Sequence, residues 1–295
     1  MKIRKFGGID IGSNGVRLLI SNVLEEENRS PIFSKASLVR VPIRLGEDVF
    51  EKGEISEENI LRLSDAMQAF SLLMKVYNVE KYQACATSAM REAKNRNNIV
   101  LNIAKKTGIS IEIIDGQKEA SIIANTDLHT FIEKEKNYLY IDVGGGSTEF
   151  TVYSKGENLA SKSFPIGAVR LLQGKATNKI WEEVKEWIVK NTKKIKNIQA
   201  IGSGGNINKI FKASGNKKGE PLSIQFLNDF LIKLEALSYE ERIRDLELNP
   251  DRADVITYAT KVYINAMTWA NAENIIVPKV GLSDGIVRGL YYNNL

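Results

Sequence analysis

What most constrains the fold of this chain is a short pattern that occurs twice. An apolar run ends in an aspartate, a glycine turn follows, and a second β-rich run begins. The pattern appears at Gly8-Ile9-Asp10-Ile11-Gly12 and again at Tyr140-Ile141-Asp142-Val143-Gly144. Asp142 follows Asp10 by 132 residues (142 minus 10), and Gly144 follows Gly12 at the same spacing. Two strands joined by a glycine turn make a β-hairpin. A chain of 295 residues has room for one large or two modest domains. The repeat therefore predicts two related α/β domains, each opening on a hairpin, with the two turns lining one cleft.

The rest of the pattern agrees. Strands are expected at Phe6–Ile11, Val16–Val23, Ser34–Ile43, Gln83–Ala86 and Ile109–Ile114. Ser56 is an N-cap for a helix to about Tyr77, with Ile60, Leu63, Met67, Phe70 and Met74 at helical spacing. A helix from about Asn97 to Lys106 is stopped by Gly108, Gln117–His129 reads as helical, and Glu133–Lys136 as a charged turn. In the second half, strands are expected at Tyr138–Val143, Thr148–Tyr153, Ser161–Phe164, Ile198–Ile201 and Asn274–Val277. Helices are expected at about 178–196, 204–213, 223–237, 251–271 and 283–292. Strands alternating with helices argue for an α/β fold.

Composition narrows the chemistry. His129 is the only histidine and Cys85 the only cysteine, which disfavours a His-rich metal site, a Ser-His-Asp triad and any intrachain disulfide. No apolar run approaches a membrane span. The N-terminus is a poor signal peptide, so a cytoplasmic protein is expected. The net charge of +5 is mild. Lys190, Lys193, Lys194 and Lys196 cluster in sequence, as do Lys212, Lys217 and Lys218, but without the aromatic residues that single-stranded nucleic acid recruits. No nucleic-acid partner is expected.

The two turns, 12–15 and 144–147, are phosphate-binding candidates. Glycine admits positive φ and close approach, so several backbone N–H groups can converge on an anion. Ser13, Asn14, Ser147 and Thr148 add side-chain donors. Asp10 and Asp142 cannot pair with phosphate directly, but they can hold a Mg²⁺ that bridges to it or polarise a water, and Glu149 flanks the second turn. The plainer reading is a pair of tight hairpins with Asp as a turn residue.

A third turn, Gly202-Ser203-Gly204-Gly205-Asn206, joins a strand to a helix and places N–H donors at the positive end of its dipole. It lacks a P-loop lysine and Rossmann spacing, and also reads as an ordinary helix start. Glu119 either complements a helix dipole or enters the cleft as a general base; without a usable histidine a carboxylate suits that role. Arg91 follows a strand end, where a phosphate clamp would sit, or forms a surface ion pair with Glu92 or Glu119.

Together these motifs resemble the exopolyphosphatase / guanosine pentaphosphate phosphohydrolase (Ppx/GppA) family, a branch of the actin, sugar-kinase and Hsp70 ATPase-like superfamily. The matching stretches are Gly8–Leu19, Ala86–Asn95, Ile114–Ala120, Tyr140–Phe150, Phe164–Leu171, Ala200–Ile210, Asp251–Val255 and Val277–Leu290, in the family's order. The resemblance implies two ribonuclease H-like α/β domains flanking an active-site cleft, 1–125 and 126–282, with the last helix, about 283–295, packed back on the first.

By the same resemblance Asp142 and Glu149, with Asp10, are the carboxylates associated with Mg²⁺, or with Mn²⁺ in its place. Gly144, Gly145, Gly146 and Ser147 hold the terminal phosphate, with Asn14 and Arg91 as further contacts; the reading of the turns themselves adds Gly12, Ser13, Thr148, Gly202, Ser203, Gly204 and Gly205 as phosphate-binding candidates. Glu119 is the catalytic base, with Arg91 and Ser147 as its catalytic partners.

The implied activity is release of terminal phosphate from inorganic polyphosphate or guanosine pentaphosphate. Two departures stand out: Gly15 where the family often has Ser, and Lys118 where an acid is frequent. The helical domains that longer members use to bind long polyphosphate are expected to be missing, and with them strong processivity. A homodimer is compatible with the sequence. The rival readings are a kinase or ATPase of the superfamily and a non-catalytic sensor of polyphosphate or an alarmone.

Overall fold

The computed structural model describes residues 1–124, 126, 132–293 and 295. The chain divides into two compact units, Met1–Thr126 with Gly281–Leu295, and Asp127–Val280.

The first unit holds strands β1 (Lys2–Ile11), β2 (Val16–Glu25), β3 (Ile32–Val41), β4 (Lys81–Ala86) and β5 (Ile111–Ile113), in the sheet order β3-β2-β1-β4-β5. β1 pairs antiparallel with β2, and β2 with β3; β4 and β5 continue parallel to β1. Its helices include α1 (Leu45–Lys52), α2 (Glu57–Val76), α3 (Ser88–Glu92), α4 (Arg96–Thr107) and α5 (Gly116–Ala124). The Ser56 hydroxyl accepts from the Asn59 N–H as the expected cap of α2, whose Leu63, Met67, Phe70 and Met74 are buried. Gly108 ends α4 at φ 74°, a conformation that glycine adopts without penalty. The expected end of the Gln117–His129 helix, and His129 itself, lie outside the described residues.

The second unit repeats the plan. Its strands are β6 (Asn137–Val143), β7 (Thr148–Ser154), β8 (Glu157–Phe164), β9 (Ile198–Ser203), β10 (Leu222–Ser223) and β11 (Asn274–Ile276), in the order β10-β11-β9-β6-β7-β8. Read from β8, the sequence β8-β7-β6-β9-β11 reproduces β3-β2-β1-β4-β5, directions included; β10 is an added edge. Both sheets thus have the expected ribonuclease H-like arrangement.

The helices of the second unit are α6 (Ala168–Leu172), α7 (Asn178–Thr192), α8 (Gly205–Ser214), α9 (Ile224–Ala236), α10 (Tyr239–Asp245), α11 (Pro250–Ala253) and α12 (Ile256–Trp269). The single helix expected over 251–271 is divided, because Val255 N–H bonds back to Arg252 O in a tighter turn before α12 begins. The expected 178–196 helix ends at Thr192, so Lys194 and Lys196 of the basic run lie beyond it.

The last helix, α13 (Leu282–Tyr292), belongs to the first unit. Val287 joins Phe6, Leu19 and Val23 in a buried cluster, with Phe33, Leu290 and Tyr291 against it. Two glycines make that docking possible: a methyl at Gly8 would sit 2.5 Å from Ser283 O, and one at Gly285 would sit 2.1 Å from Ile122 O. Both neighbours are backbone and have little room to give. Among the described residues no helix is long and apolar enough to cross a membrane. Gly285→Ala is expected to lower unfolding free energy by about 2 kcal/mol or more; an unshifted urea midpoint would show that the α13–α5 contact is not tight.

Candidate active site

The hairpin registers match at the repeat's offset. Ile11 pairs with Val16 across the first turn and Val143 with Thr148 across the second. Each turn is closed by the same bond, Gly12 N–H to Gly15 O at 3.2 Å and Gly144 N–H to Ser147 O at 3.0 Å. No residue of either turn has positive φ. This corrects the expectation that glycine is needed there for a left-handed backbone. The constraint is space: a methyl at Gly144 would lie 3.0 Å from Ser147 O, and one at Gly15 would lie 2.9 Å from Arg40 Nη2. Gly15, the departure from the family's serine, thus leaves room for a guanidinium.

Directly across β1–β2, Asp10 faces Arg17, and across β6–β7, Asp142 faces Glu149. Asp10 Oδ2 accepts from Arg17 Nη1 at 3.0 Å. Burial raises the Asp10 pKa, and the charges of Arg17 and Arg40 oppose that shift. Its expected role as a metal ligand therefore competes with an ion pair already formed. In the second hairpin both partners are acids. The hydroxyls of Ser147 and Ser163 each donate to Glu149 Oε1 at 2.7 Å, and Glu149 is 3% exposed. Tyr140 OH donates to Asp142 Oδ2 at 3.4 Å. Burial, with the Asp142 charge next, raises the phenols of Tyr140 and Tyr263 well above their ordinary value, so both remain donors.

The third turn lies beside the second. Ser203 is the register partner of Asp142 on β9. Gly204 has φ 109°, and a methyl there would lie 2.8 Å from Val143 O and 3.3 Å from Asp142 Oδ1. Gly205 leaves space for Arg252, whose Nη1 would be 2.4 Å from an added methyl and donates to Asn206 Oδ1 at 3.1 Å. Gly202 serves packing, because Ile275 Cδ1 would be 2.7 Å from a methyl.

Most hydroxyls expected to meet phosphate are engaged inside the protein. Thr148 is fully buried and donates to Ile166 O at 3.0 Å, and Ser203 donates to Val280 O at 3.0 Å. Each has spent its single hydrogen, so both brace the turns rather than reach a ligand. Ser147 acts through Glu149, and Ser13 Oγ accepts from Ala89 N–H at 3.2 Å. The backbone carbonyl of Asn14 accepts from Arg44 N–H at 3.3 Å. The carbonyls of Gly144, Gly145 and Gly146 accept from the N–H groups of residues 167–170 at the start of α6, and Arg170 Nε also donates to Gly146 O at 2.9 Å. The N–H side of the turn is therefore the side available to an anion.

In the first unit, Asp115 Oδ1 caps α5 by accepting from Lys118 N–H at 2.8 Å. Glu119, one position on, is not the cap, and its Oε2 is buried. Lys118, the second departure from the family, pairs with Glu112. Arg91 Nη1 donates to Ile114 O at 2.6 Å, immediately before that helix.

Known proteins bear on this arrangement. The profile of the Ppx/GppA phosphatase family matches residues 25–293. The chain belongs to the Ppx/GppA phosphatase family. It is 31% identical to a bifunctional 3-dehydroquinate synthase/phosphatase of Fusobacterium nucleatum, over 91% of this chain and 44% of that protein. It is 30% identical to exopolyphosphatase 2 of Mycobacterium tuberculosis, over 59% of this chain and 55% of that one. The chain thus spans about half the length of the curated relatives it matches. Its fold is shared with the crystal structure of an exopolyphosphatase from Cytophaga hutchinsonii, with TM-score 0.84 at 24% identity over 98% of both chains. It is shared too with the Aquifex aeolicus Ppx/GppA family member, with TM-score 0.76 at 23% identity over 99% of both.

Sequence reasoning missed Tyr140, Ser163, Arg252 and Tyr263. Arg252 lay inside a matching stretch with no role attached, and Ser163 faces Glu149 only through the β7–β8 register. Cys85, the register partner of Asp10 on β4, is fully buried. Burial first, then the charges of Glu112 and Asp10, push its thiol up to about 12. It is expected to resist alkylation at about pH 8 in the native protein and react on unfolding. Rapid labelling of the folded chain would contradict that burial.

Proposed function

We propose that this Ppx/GppA chain is a phosphohydrolase that releases the terminal phosphate of inorganic polyphosphate, with guanosine pentaphosphate as a second substrate of the same chain-end chemistry. The carrying observation is the pair Asp142–Glu149, set opposite each other beside a glycine turn whose carbonyl side is tied into the protein. The names of the mycobacterial and Cytophaga relatives support polyphosphate as substrate. The phosphatase half of the Fusobacterium protein's name supports phosphate release more generally.

The donor set suits Mg²⁺. That ion takes oxygen ligands and is commonly held by one or two carboxylates together with substrate phosphates. Asp142 and Glu149 would hold it, while Asp10 is engaged by Arg17. When bound, Mg²⁺ or Mn²⁺ supplies positive charge against the phosphate oxygens.

The chain's own residues then have distinct tasks. Glu119 accepts a proton from the attacking water as the water oxygen bonds to the terminal phosphorus. The bond from that phosphorus to its bridging oxygen breaks, and the shortened polyphosphate or nucleotide leaves. The N–H groups of 145–147, with Arg91, stabilise charge on the transferring phosphoryl oxygens. Ser147 and Ser163 hold Glu149 in one orientation.

Glu119→Gln is expected to retain polyphosphate binding and lose about a hundredfold or more in phosphate release. Binding by calorimetry and release by a phosphate assay check this pair of outcomes. Near-wild-type release would remove Glu119 from the role of base.

A further inference from the structure

The second unit contains a cleft that the phosphate chemistry leaves unused. It lies between α8 and α9, is bordered by the segment 245–248, and encloses about 520 Å³. That volume is in the range of small-molecule sites. Two chemistries line it. Phe226 and Phe230, one turn apart on α9, stack with ring centroids 5.9 Å apart and planes within 18°. Phe230 is buried and Phe226 half-buried, so the pair offers a flat apolar face that reaches solvent.

Lys209 and Lys212 of α8 and Lys233 of α9 line the same cleft. Among the described residues none of the three takes part in an ion pair. Lys209 and Lys212 are three apart and share a helix face. Burial lowers the Lys209 pKa, and the charges of Lys212 and Arg252 add to the shift, against an opposing pull from Glu247.

Three acids also border the cleft, and two have partners. Asp245 accepts from Arg244 at 2.6 and 3.0 Å, and Asp229 accepts from Gln225 Nε2 at 2.9 Å. Glu247 opposes Lys209, and Asp245 is drawn to Lys233 as well as to Arg244; counting Arg244, four cations meet three acids, so the cleft keeps a slight positive excess.

We propose that this cleft is a nucleotide-binding site, in which the base stacks on the Phe226–Phe230 face and the phosphates are held by Lys209, Lys212 and Lys233. A bare polyphosphate has no use for an aromatic face, and an apolar molecule has none for three lysines. A nucleoside carrying two or more phosphates uses both. The site is separate from the Asp142–Glu149 hairpin and does not rest on the hydrolase reading, since nucleotide binding is measurable without turnover.

The test titrates the full chain with a fluorescently labelled ADP, using ADP, adenosine and inorganic tripolyphosphate as competitors. Saturable binding is expected, with ADP displacing the probe better than adenosine or tripolyphosphate. Phe226→Ala and Lys212→Ala should each weaken binding by about tenfold or more. Phe226 is half-buried and Lys212 exposed, so neither change opens the core; circular dichroism checks the fold. Absence of saturable binding at millimolar probe would overturn the proposal. So would binding unaltered by both substitutions, or tripolyphosphate competing as well as ADP.

Discussion

Two carboxylates placed face to face organise the centre of the second unit. Asp142 and Glu149 are direct partners in an antiparallel pair, and Glu149 is almost wholly buried. Like charges in that position oppose sheet formation, and a low-dielectric surrounding strengthens the repulsion. The chain answers with hydroxyls: Ser147 and Ser163 on one oxygen of Glu149, Tyr140 on Asp142. In the first unit the same backbone position holds Arg17, and the pair closes as an ion pair with Asp10. One hairpin thus balances its own charge, while its counterpart concentrates negative charge beside a turn. Such a pair suits a divalent cation, and the proposed chemistry follows from that asymmetry.

The turn beside those acids is shaped from behind. Its carbonyls are taken by the start of α6, and Gly167 fits there only without a side chain, since a methyl would lie 2.3 Å from the backbone of Gly145 and Gly146. Thr148, next after the turn, donates to Ile166 O, just before the residues that take those carbonyls. A turn held this firmly presents its N–H groups without having to reorganise, as electrostatic stabilisation of a developing charge requires.

The twofold plan of the chain was legible in the sequence because both strands of each hairpin and both aspartates recur at one offset. Strand order in the sheets was not, yet it extends the same repeat to five strands. Short helices were the commonest omission. α6 depends on carbonyls of a distant turn, and α1 begins after Arg44 in a left-handed conformation, so neither has a local signal. α10 did have one, since Ser238 and Glu241 form a capping box spelled out in the sequence. At the site, the acids and glycines were legible as types. Their division of labour was not, because it depends on which hydroxyl hydrogen is already committed and on Arg17 reaching back to Asp10.

Phosphate release from tripolyphosphate, with Mg²⁺ present, compared between the unmodified chain and its Asp142→Asn variant, tests the central claim most directly. The account predicts orthophosphate from the unmodified chain and a loss of about a hundredfold or more in the variant. No release from the unmodified chain, or equal release from both, would contradict it.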